Sequence, residues 1–288
     1  MSYNRLDRVE LKFVITAAQR AALMTTLDAH VCADANADET AYYPIVSLYY
    51  DNPDRDCYWE KIQGSQNRRK FRVRVYGSLD GRLAPTVFIE VKHKQEGRGV
   101  KRRVKLPLDE AMRVGEGQWP NVRLTEVDKR AVHEIIEDLV GRRGFRPVMV
   151  MRYDRSAYAA RDPQSDLRIT YDTGIAYRLE NLQPVPDDRD FRQENYMYPD
   201  EVSVLEVKVN GSVPYWLSVL LAETGCRMQS HSKYCNALER SDPVLRAMLA
   251  PNWRKPLPTP MDASVTDVSA AESVNTTPAA PLIVPAIS

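Results

Sequence analysis

Six short stretches of this sequence alternate charged and apolar residues with a period of two. That period is the repeat of a β-strand, because successive side chains of a strand point to opposite faces of the sheet. Each stretch therefore predicts a strand with one apolar and one charged face. Lys and Arg dominate the charged positions, with a few carboxylates among them, in Arg8-x-Glu10-x-Lys12, Lys70-x-Arg72-x-Arg74, Glu90-x-Lys92-x-Lys94, Lys101-x-Arg103-x-Lys105, Arg168-x-Thr170-x-Asp172 and Glu206-x-Lys208.

The basic residues are concentrated in one part of the chain. Residues 68–105 hold 13 Lys or Arg against 3 Asp or Glu, whereas the whole chain has 40 basic and 39 acidic residues. One such strand is ordinarily the solvated face of an antiparallel sheet. Six together favour another interpretation, because like charge concentrated on one surface needs a partner to offset its self-repulsion. The pattern therefore indicates a site for a polyanion and its metal ion.

Composition narrows the class of protein. The 288 residues, 43% hydrophobic and 27% charged, predict a soluble protein with one large domain or two small ones. A net charge of +1 argues against a general nucleic-acid-binding protein, so no specific nucleic acid is expected. The four cysteines are scattered without a CxxC pair, which favours a reducing, cytoplasmic location. We find no signal-peptide pattern and predict no transmembrane segment.

The order of strands and helices predicts an α+β fold. A helix is expected after Thr16, which has capping-box spacing to Gln19, and another over residues 125–143, which carry an apolar stripe. If the sheet closes, the charged faces line its bore and the apolar faces pack on helices outside. We therefore predict a closed antiparallel β-barrel within residues 1–250. Residues 251–288 are rich in Pro, Ala, Ser and Thr and are predicted to be a disordered tail.

Eight motifs occur in an order that resembles a known family. They are an ExK strand near the N-terminus, SLYYD, KFRVRVYG, FIEVKHK, RYDRSAY, LRITYD, LEVKVNG and SKY. Over about residues 3–240 this order resembles the VTC domain, named for the vacuolar transporter chaperone complex of fungi. The resemblance places the chain among the triphosphate tunnel metalloenzymes, together with the CYTH proteins and the RNA triphosphatases.

The resemblance implies a barrel whose bore, a triphosphate tunnel, is lined with basic residues and acidic metal ligands. The fungal catalytic member makes polyphosphate from the γ-phosphate of ATP, and relatives hydrolyse tripolyphosphate or other triphosphates. By matching positions, the residues expected to be catalytic are Lys92, Arg155 and Lys233. The residues that the resemblance assigns to phosphate binding are Lys12, Arg72, Arg74, Lys92, Tyr153, Arg155, Arg168, Ser232 and Lys233.

The resemblance also implies a divalent metal ion, Mn²⁺ or Mg²⁺. Glu206 resembles the main metal ligand of the family, and Glu10 and Glu90 stand where tunnel enzymes often carry further carboxylates. The expected partners are ATP, tripolyphosphate or polyphosphate; protein partners are left open. The chemistry agrees, because Arg binds phosphate oxygens bidentately, Lys adds point charges, and phosphoryl transfer needs chiefly positioning and charge neutralisation.

The chain departs from the family pattern beside the Ser232–Lys233 pair. The fungal polymerase has an additional lysine there, where this chain has Ser230 and His231. The departure bears on chain elongation more than on phosphate binding. We expect an ATP-dependent polyphosphate polymerase. The alternatives are a hydrolase of tripolyphosphate or nucleoside triphosphates, and a non-catalytic polyphosphate-binding sensor. The sequence has neither a GxxxxGK[ST] loop nor an HExxH motif.

Overall fold

The computed structural model describes residues 8–34, 42–78, 80–81, 83–95 and 98–248. The predicted tail, residues 251–288, lies outside them, so its disorder stays a prediction. The strands are β1 (Arg8–Thr16), β2 (Val31–Ala33), β3 (Tyr42–Asp51), β4 (Arg68–Tyr76), β5 (Thr86–Gln95), β6 (Arg98–Lys105), β7 (Arg146–Ala160), β8 (Arg168–Arg178) and β9 (Val202–Asn210). The helices are α1 (Ala17–Leu27), α2 (Asp56–Ile62), α3 (Leu108–Gly115), α4 (Glu126–His133), α5 (Tyr215–Glu223), α6 (Lys233–Ser241) and α7 (Pro243–Met248), with π-helical turns over Glu134–Arg142 and a 3₁₀ turn at Gln193–Asn195.

The strands form one nine-stranded antiparallel sheet, in the order β1-β9-β8-β7-β3-β4-β5-β6, with β2 beside β7. This confirms the α+β class and the large antiparallel sheet. Each charge-alternating stretch lies on one of the predicted strands, because apolar and charged residues alternate between the two faces. The register places charged residues directly opposite one another, as in the rank Arg72–Glu90–Arg103 across β4, β5 and β6.

The sheet is strongly curved. Lys92 on β5 lies 3.9 Å, from Nζ to Oε2, from Glu10 on β1, although these strands are seventh and first in the sheet order. In the described residues no backbone pairing joins β6 to β1, so the prediction of a closed barrel is not confirmed. Side chains, rather than backbone hydrogen bonds, connect the two ends. We call the concave, charged face of this sheet the trough.

Helices cover the convex face, as predicted. On one half, Leu23 and Leu27 of α1 and Leu220 of α5 pack with apolar residues of β1, β8 and β9, including Phe13 and Ile169. On the other half, α3 and α4 contact β4, β5 and β6. The capping box at the start of α1 is confirmed, since Thr16 accepts from the backbone of Gln19 and the Gln19 side chain accepts from Thr16. None of the helices in the described part of the chain is long and apolar enough to span a membrane.

We expect Leu23→Ala to lower the free energy of unfolding by about 2–5 kcal/mol, the usual cost of truncating a fully buried leucine. Leu23 is 0% exposed and belongs to the core between α1 and the sheet. Urea denaturation measures the change. Thr26→Ala, on the exposed side of the same helix, is the matched control and should change stability by less than about 0.5 kcal/mol. Equal effects of the two substitutions would contradict this packing of α1.

Candidate functional site

Glu90 is the centre of the first of two ion-pair networks in the trough. It is 2% exposed. Arg72 Nε donates to its Oε2 and Arg103 Nε to its Oε1, each at 2.8 Å. Lys101 Nζ lies 2.8 Å from Oε1, and Arg74 Nη1 lies 3.9 Å from Oε2. Burial opposes the charge of Glu90, but Arg72 and Arg74 outweigh it and hold the pKa of this carboxyl far below its ordinary value.

Asp172 is the centre of the second network and is fully buried. It accepts two hydrogen bonds from Arg155, from Nε to Oδ1 at 2.6 Å and from Nη2 to Oδ2 at 2.7 Å. Lys233 Nζ lies 2.5 Å from Asp172 Oδ2 and 3.8 Å from Glu206 Oε1. Although burial opposes its charge, Arg155 and Lys233 lower the pKa of Asp172. The network therefore holds a buried arginine and a buried lysine in their charged forms.

Glu206 and Glu10 extend the second network onto β9 and β1. Lys12 Nζ lies 3.1 Å from Glu10 Oε1 and 3.5 Å from Glu206 Oε1. Lys208 Nζ lies 2.5 Å from Glu206 Oε2 and 4.0 Å from Glu10 Oε1. Despite burial, Lys233, Lys208 and Lys12 hold the pKa of Glu206 well below its ordinary value, and the pKa of Glu10 is also lowered. Both carboxylates are therefore ionised at neutral pH.

Tyr153 joins the two networks at the floor of the trough. Its hydroxyl accepts a hydrogen bond from Arg74 Nη2 at 3.0 Å. Lys233 Nζ and Arg155 Cζ lie 4.7 Å and 5.4 Å from the centroid of its ring. The π face attracts these cations, and the ring is 1% exposed. Tyr153 thus brings one arginine of the first network close to two cations of the second.

The two networks together carry a large excess of positive charge. Nine cations share four carboxylates, so five positive charges are not neutralised within the networks. The cations are Lys12, Arg72, Arg74, Lys92, Lys101, Arg103, Arg155, Lys208 and Lys233, and the carboxylates are Glu10, Glu90, Asp172 and Glu206. Such a surface attracts and orients an anion of several charges. Because its donors are already held in place by carboxylates, little reorganisation is needed on binding.

The structure brings most of the predicted phosphate-binding residues together and leaves two outside the networks. Arg168 donates to Asp34 Oδ2 at 2.7 Å and to Tyr43 Oη at 3.2 Å. Ser232 is the N-cap of α6, where its hydroxyl accepts from the backbone of Cys235. The predicted residues that belong to the networks or join them are Lys12, Arg72, Arg74, Lys92, Tyr153, Arg155 and Lys233.

The predicted metal ligands differ in their surroundings. No cluster of three His, Cys, Asp or Glu side chains suited to a metal ion occurs among the residues described. Glu206 and Glu10 converge on the ammonium groups of Lys12 and Lys208, so these two carboxylates fit an ion that takes its remaining ligands from phosphate oxygens, as Mg²⁺ commonly does. Glu90 lies on β5, on the wall of the trough opposite to β1 and β9, and both its oxygens accept hydrogen bonds from arginines.

Sequence reasoning quoted Asp172 and Lys208 as strand residues but assigned them no role in the site. The structure places both inside the second network. Tyr49 was also missed; it stacks on Tyr234 with ring centroids 5.5 Å apart, and Arg72 Nη1 donates to its hydroxyl at 3.4 Å. One signal could have found them, because each lies two residues from another residue of the trough face on the same strand.

His231 is one of the two residues, with Ser230, at which this chain departs from the family pattern. It is 4% exposed, its Nε2 lies 2.9 Å from Tyr198 Oη, and its backbone carbonyl accepts from Lys12 Nζ at 3.2 Å. Its Nδ1 has no partner among the described residues. Burial, with Lys233 and Lys12 nearby, lowers the pKa of this ring to about 4. The imidazole is therefore neutral at pH 7 and adds no charge to the trough.

Comparisons with known proteins identify the family of this chain. A family model, described as the VTC domain, matches residues 7–241. Among curated proteins, subunit 4 of the vacuolar transporter chaperone complex of Schizosaccharomyces pombe is 26% identical over an alignment of 154 positions that covers 48% of this chain. The match spans only 21% of that protein.

A solved structure, that of a proposed adenylate cyclase from Bacillus halodurans, aligns with 78% of this chain and 94% of its own. Its TM-score is 0.44 at 10% sequence identity, which is too distant to support a conclusion.

The buried neutral state of His231 predicts a pH dependence of stability. Its pKa is about 4 in the folded protein and 6.5 in an unperturbed chain, so between these values the unfolded state binds a proton that the native state does not. The free energy of unfolding should therefore fall as the pH is lowered through this window. In urea denaturation at a series of pH values, the free energy of unfolding of His231→Gln should fall less steeply than that of the wild type as the pH is lowered. Parallel curves for wild type and variant would contradict a neutral buried ring.

Proposed function

Because the chain belongs to the VTC domain family, we propose that its trough is a triphosphate tunnel that catalyses metal-dependent phosphoryl transfer. In the proposed reaction, the terminal oxygen of a phosphate chain attacks the γ-phosphorus of ATP. The bond between that phosphorus and the β–γ bridging oxygen breaks, which releases ADP and a chain longer by one phosphate. The observation that carries the proposal is the excess of five cations in the two networks of the trough.

In this proposal the two walls of the trough bind opposite sides of the phosphates. Arg72 and Arg74 act from β4, and Arg155, Lys233 and Lys12 act from the other wall. Their charged hydrogen bonds position the triphosphate and offset the charge that develops in transfer. Lys92 is the most exposed of these cations, with 63% of its side chain accessible, and its one ion pair in the described structure, with Glu10, is long at 3.9 Å.

We propose Glu206 and Glu10 as the residues that hold Mn²⁺ or Mg²⁺. Their lowered pKa values keep them ionised, as a metal ligand must be. A bound ion would neutralise charge on the phosphate oxygens that it shares with these carboxylates. We do not include Glu90, because arginines occupy both its oxygens. Its role in the proposal is to fix Arg72 and Arg103 in position.

One feature favours a phosphate acceptor over water. Each of the four carboxylates in the networks contacts at least one Lys or Arg at 3.1 Å or less. A carboxylate whose pKa is lowered by such contacts is a poor general base. Water must lose a proton to become a good nucleophile, whereas the end of a phosphate chain is already ionised. A polymerase reaction therefore needs no general base from this site, whereas hydrolysis does. A cytoplasmic location belongs to the same proposal, consistent with four free cysteines.

We expect the purified protein, incubated with ATP and Mn²⁺, to form ADP and acid-insoluble polyphosphate. Glu206→Gln should abolish most of this turnover while leaving much of the polyanion binding, because the cations remain. The matched control is Glu180→Gln, a surface carboxylate, which should keep the wild-type rate. Orthophosphate as the only product would favour the hydrolase, and absence of any product would favour the sensor. A wild-type rate for Glu206→Gln at limiting Mn²⁺ would remove Glu206 from the metal site.

We also expect Arg72→Gln to weaken the binding of tripolyphosphate by about 1.5–3 kcal/mol, the scale of a charged hydrogen bond. The fold should persist, because Arg103, Lys101 and Arg74 still surround Glu90. Calorimetry measures the affinity. Arg130→Gln removes the same charge from an exposed position on α4 and serves as the control. An unchanged affinity for Arg72→Gln would argue against phosphate binding at this wall.

A further inference from the structure

Beyond the two networks, the trough continues into a group of cations with a different environment. The group consists of Lys61 on α2, Arg68 and Lys70 on β4, and Lys94 on β5, and we call it the lysine mouth. Within the described chain, no carboxylate lies within ion-pair distance, 4.0 Å, of any of the four. Cations of the networks, by contrast, each contact a carboxylate. The charge at the mouth is therefore not neutralised by any carboxylate of the described residues.

The strand register places like charges directly opposite one another at the mouth. Arg68 pairs with Lys94 across β4 and β5, and Lys70 pairs with Lys92, which in turn pairs with Lys101 on β6. Like charges in such direct pairs destabilise a sheet. The next rank along the same strands, Arg72–Glu90–Arg103, contains the carboxylate that these ranks lack. A bound anion is the simplest group that would relieve the repulsion.

Neutral oxygen atoms hold the lysines in place. Lys61 Nζ donates to Ser230 Oγ at 2.9 Å, Lys12 Nζ to the carbonyl of His231 at 3.2 Å, and Lys70 Nζ to Ser232 Oγ at 3.3 Å. Three elements, α2, β1 and β4, thus bring ammonium groups to three consecutive residues. For Lys61 and Lys70 these contacts orient the ammonium group without cancelling its charge, whereas Lys12 also pairs with Glu10 and Glu206.

The position of Lys61 is the unexpected part of this arrangement. The segment at Ser230 and His231 carries no positive side chain of its own, and Lys61 supplies one from a helix outside the charge-alternating strands. Burial, together with the charges of Arg68, Lys70 and Lys12, lowers the pKa of Lys61. Lys61 and Lys70 are also bonded to residues only two apart, Ser230 and Ser232, so these two ammonium groups lie near enough to act together on an anion.

We propose that the lysine mouth binds the part of a phosphate chain that extends beyond the triphosphate in the trough, and so makes the protein prefer long polyphosphate to tripolyphosphate. The inference rests on the proposed function, since it assumes that the trough itself binds phosphates. It identifies the end of the trough that binds the long chain. Lys101 and Arg103, which also face the trough, do not meet this description, because both are paired with Glu90.

The test compares two probes, tripolyphosphate and a long-chain polyphosphate, by calorimetry at several salt concentrations. The double variant Lys61→Gln/Lys70→Gln should bind the long chain at least tenfold more weakly and tripolyphosphate within twofold of wild type. By the counterion-release relation known from nucleic acids, its salt dependence for the long chain should become shallower by about one in slope per lysine removed. Arg68→Gln should act in the same direction.

The control is Lys129→Gln/Arg130→Gln, which removes two charges from exposed positions on α4 and should leave both affinities unchanged. Melting temperatures should be at least as high as wild type in the mouth variants, because a like-charge repulsion is removed. Equal losses for both probes, or no loss for the long chain, would overturn the lysine mouth while leaving the trough assignment standing. If the wild-type protein binds neither probe, the proposed function fails as well.

Discussion

The ion pair of Asp172 with Arg155 and Lys233 is the interaction on which the trough depends. All three side chains are at least nine-tenths buried, and a buried cation without a partner is very costly. Asp172 fixes both cations at once, and the shared contact of Lys233 with Glu206 extends this control to β9. Glu90 has the same function on the other wall. Four carboxylates thus allow nine cations to face one another across a curved sheet without forcing it apart.

The same arrangement links the stability of the sheet to the charge of the trough. Buried ion pairs contribute little net stability, but removing one partner costs several kcal/mol, typically about 3–5, because the other charge is left unpaired. The carboxylates neutralise part of the charge and leave an excess of five cations, which the proposed function assigns to a polyanion. Among the described residues, no carboxylate pairs with the cations of the lysine mouth, and serine hydroxyls hold the ammonium groups of Lys61 and Lys70 instead. The charge balance therefore changes along the trough.

Much of the fold followed from the period of two, because that pattern assigns each residue to a face without knowledge of its neighbours. The strands and their charged faces are of this kind, whereas the capping box at Thr16 followed from its three-residue spacing to Gln19. The pattern could not tell whether the sheet closes, since closure depends on curvature accumulated over nine strands. It also could not reveal Lys61, which reaches Ser230 from a helix 169 residues earlier in the chain. The pattern also did not predict that Asp172 pairs with Arg155, because this contact depends on the register between β7 and β8.

A crystal structure of the protein with tripolyphosphate and Mn²⁺, with the anomalous signal of manganese recorded, tests the central claim most directly. The account predicts phosphate groups in the trough between the arginines of β4 and the Arg155–Lys233 wall, with manganese beside Glu206. A separate cavity of about 1090 Å³ between β6 and α4 is lined by Arg69, Arg102 and Glu134 among others. Phosphate bound in that cavity with the trough empty, or manganese distant from Glu206, would contradict the account.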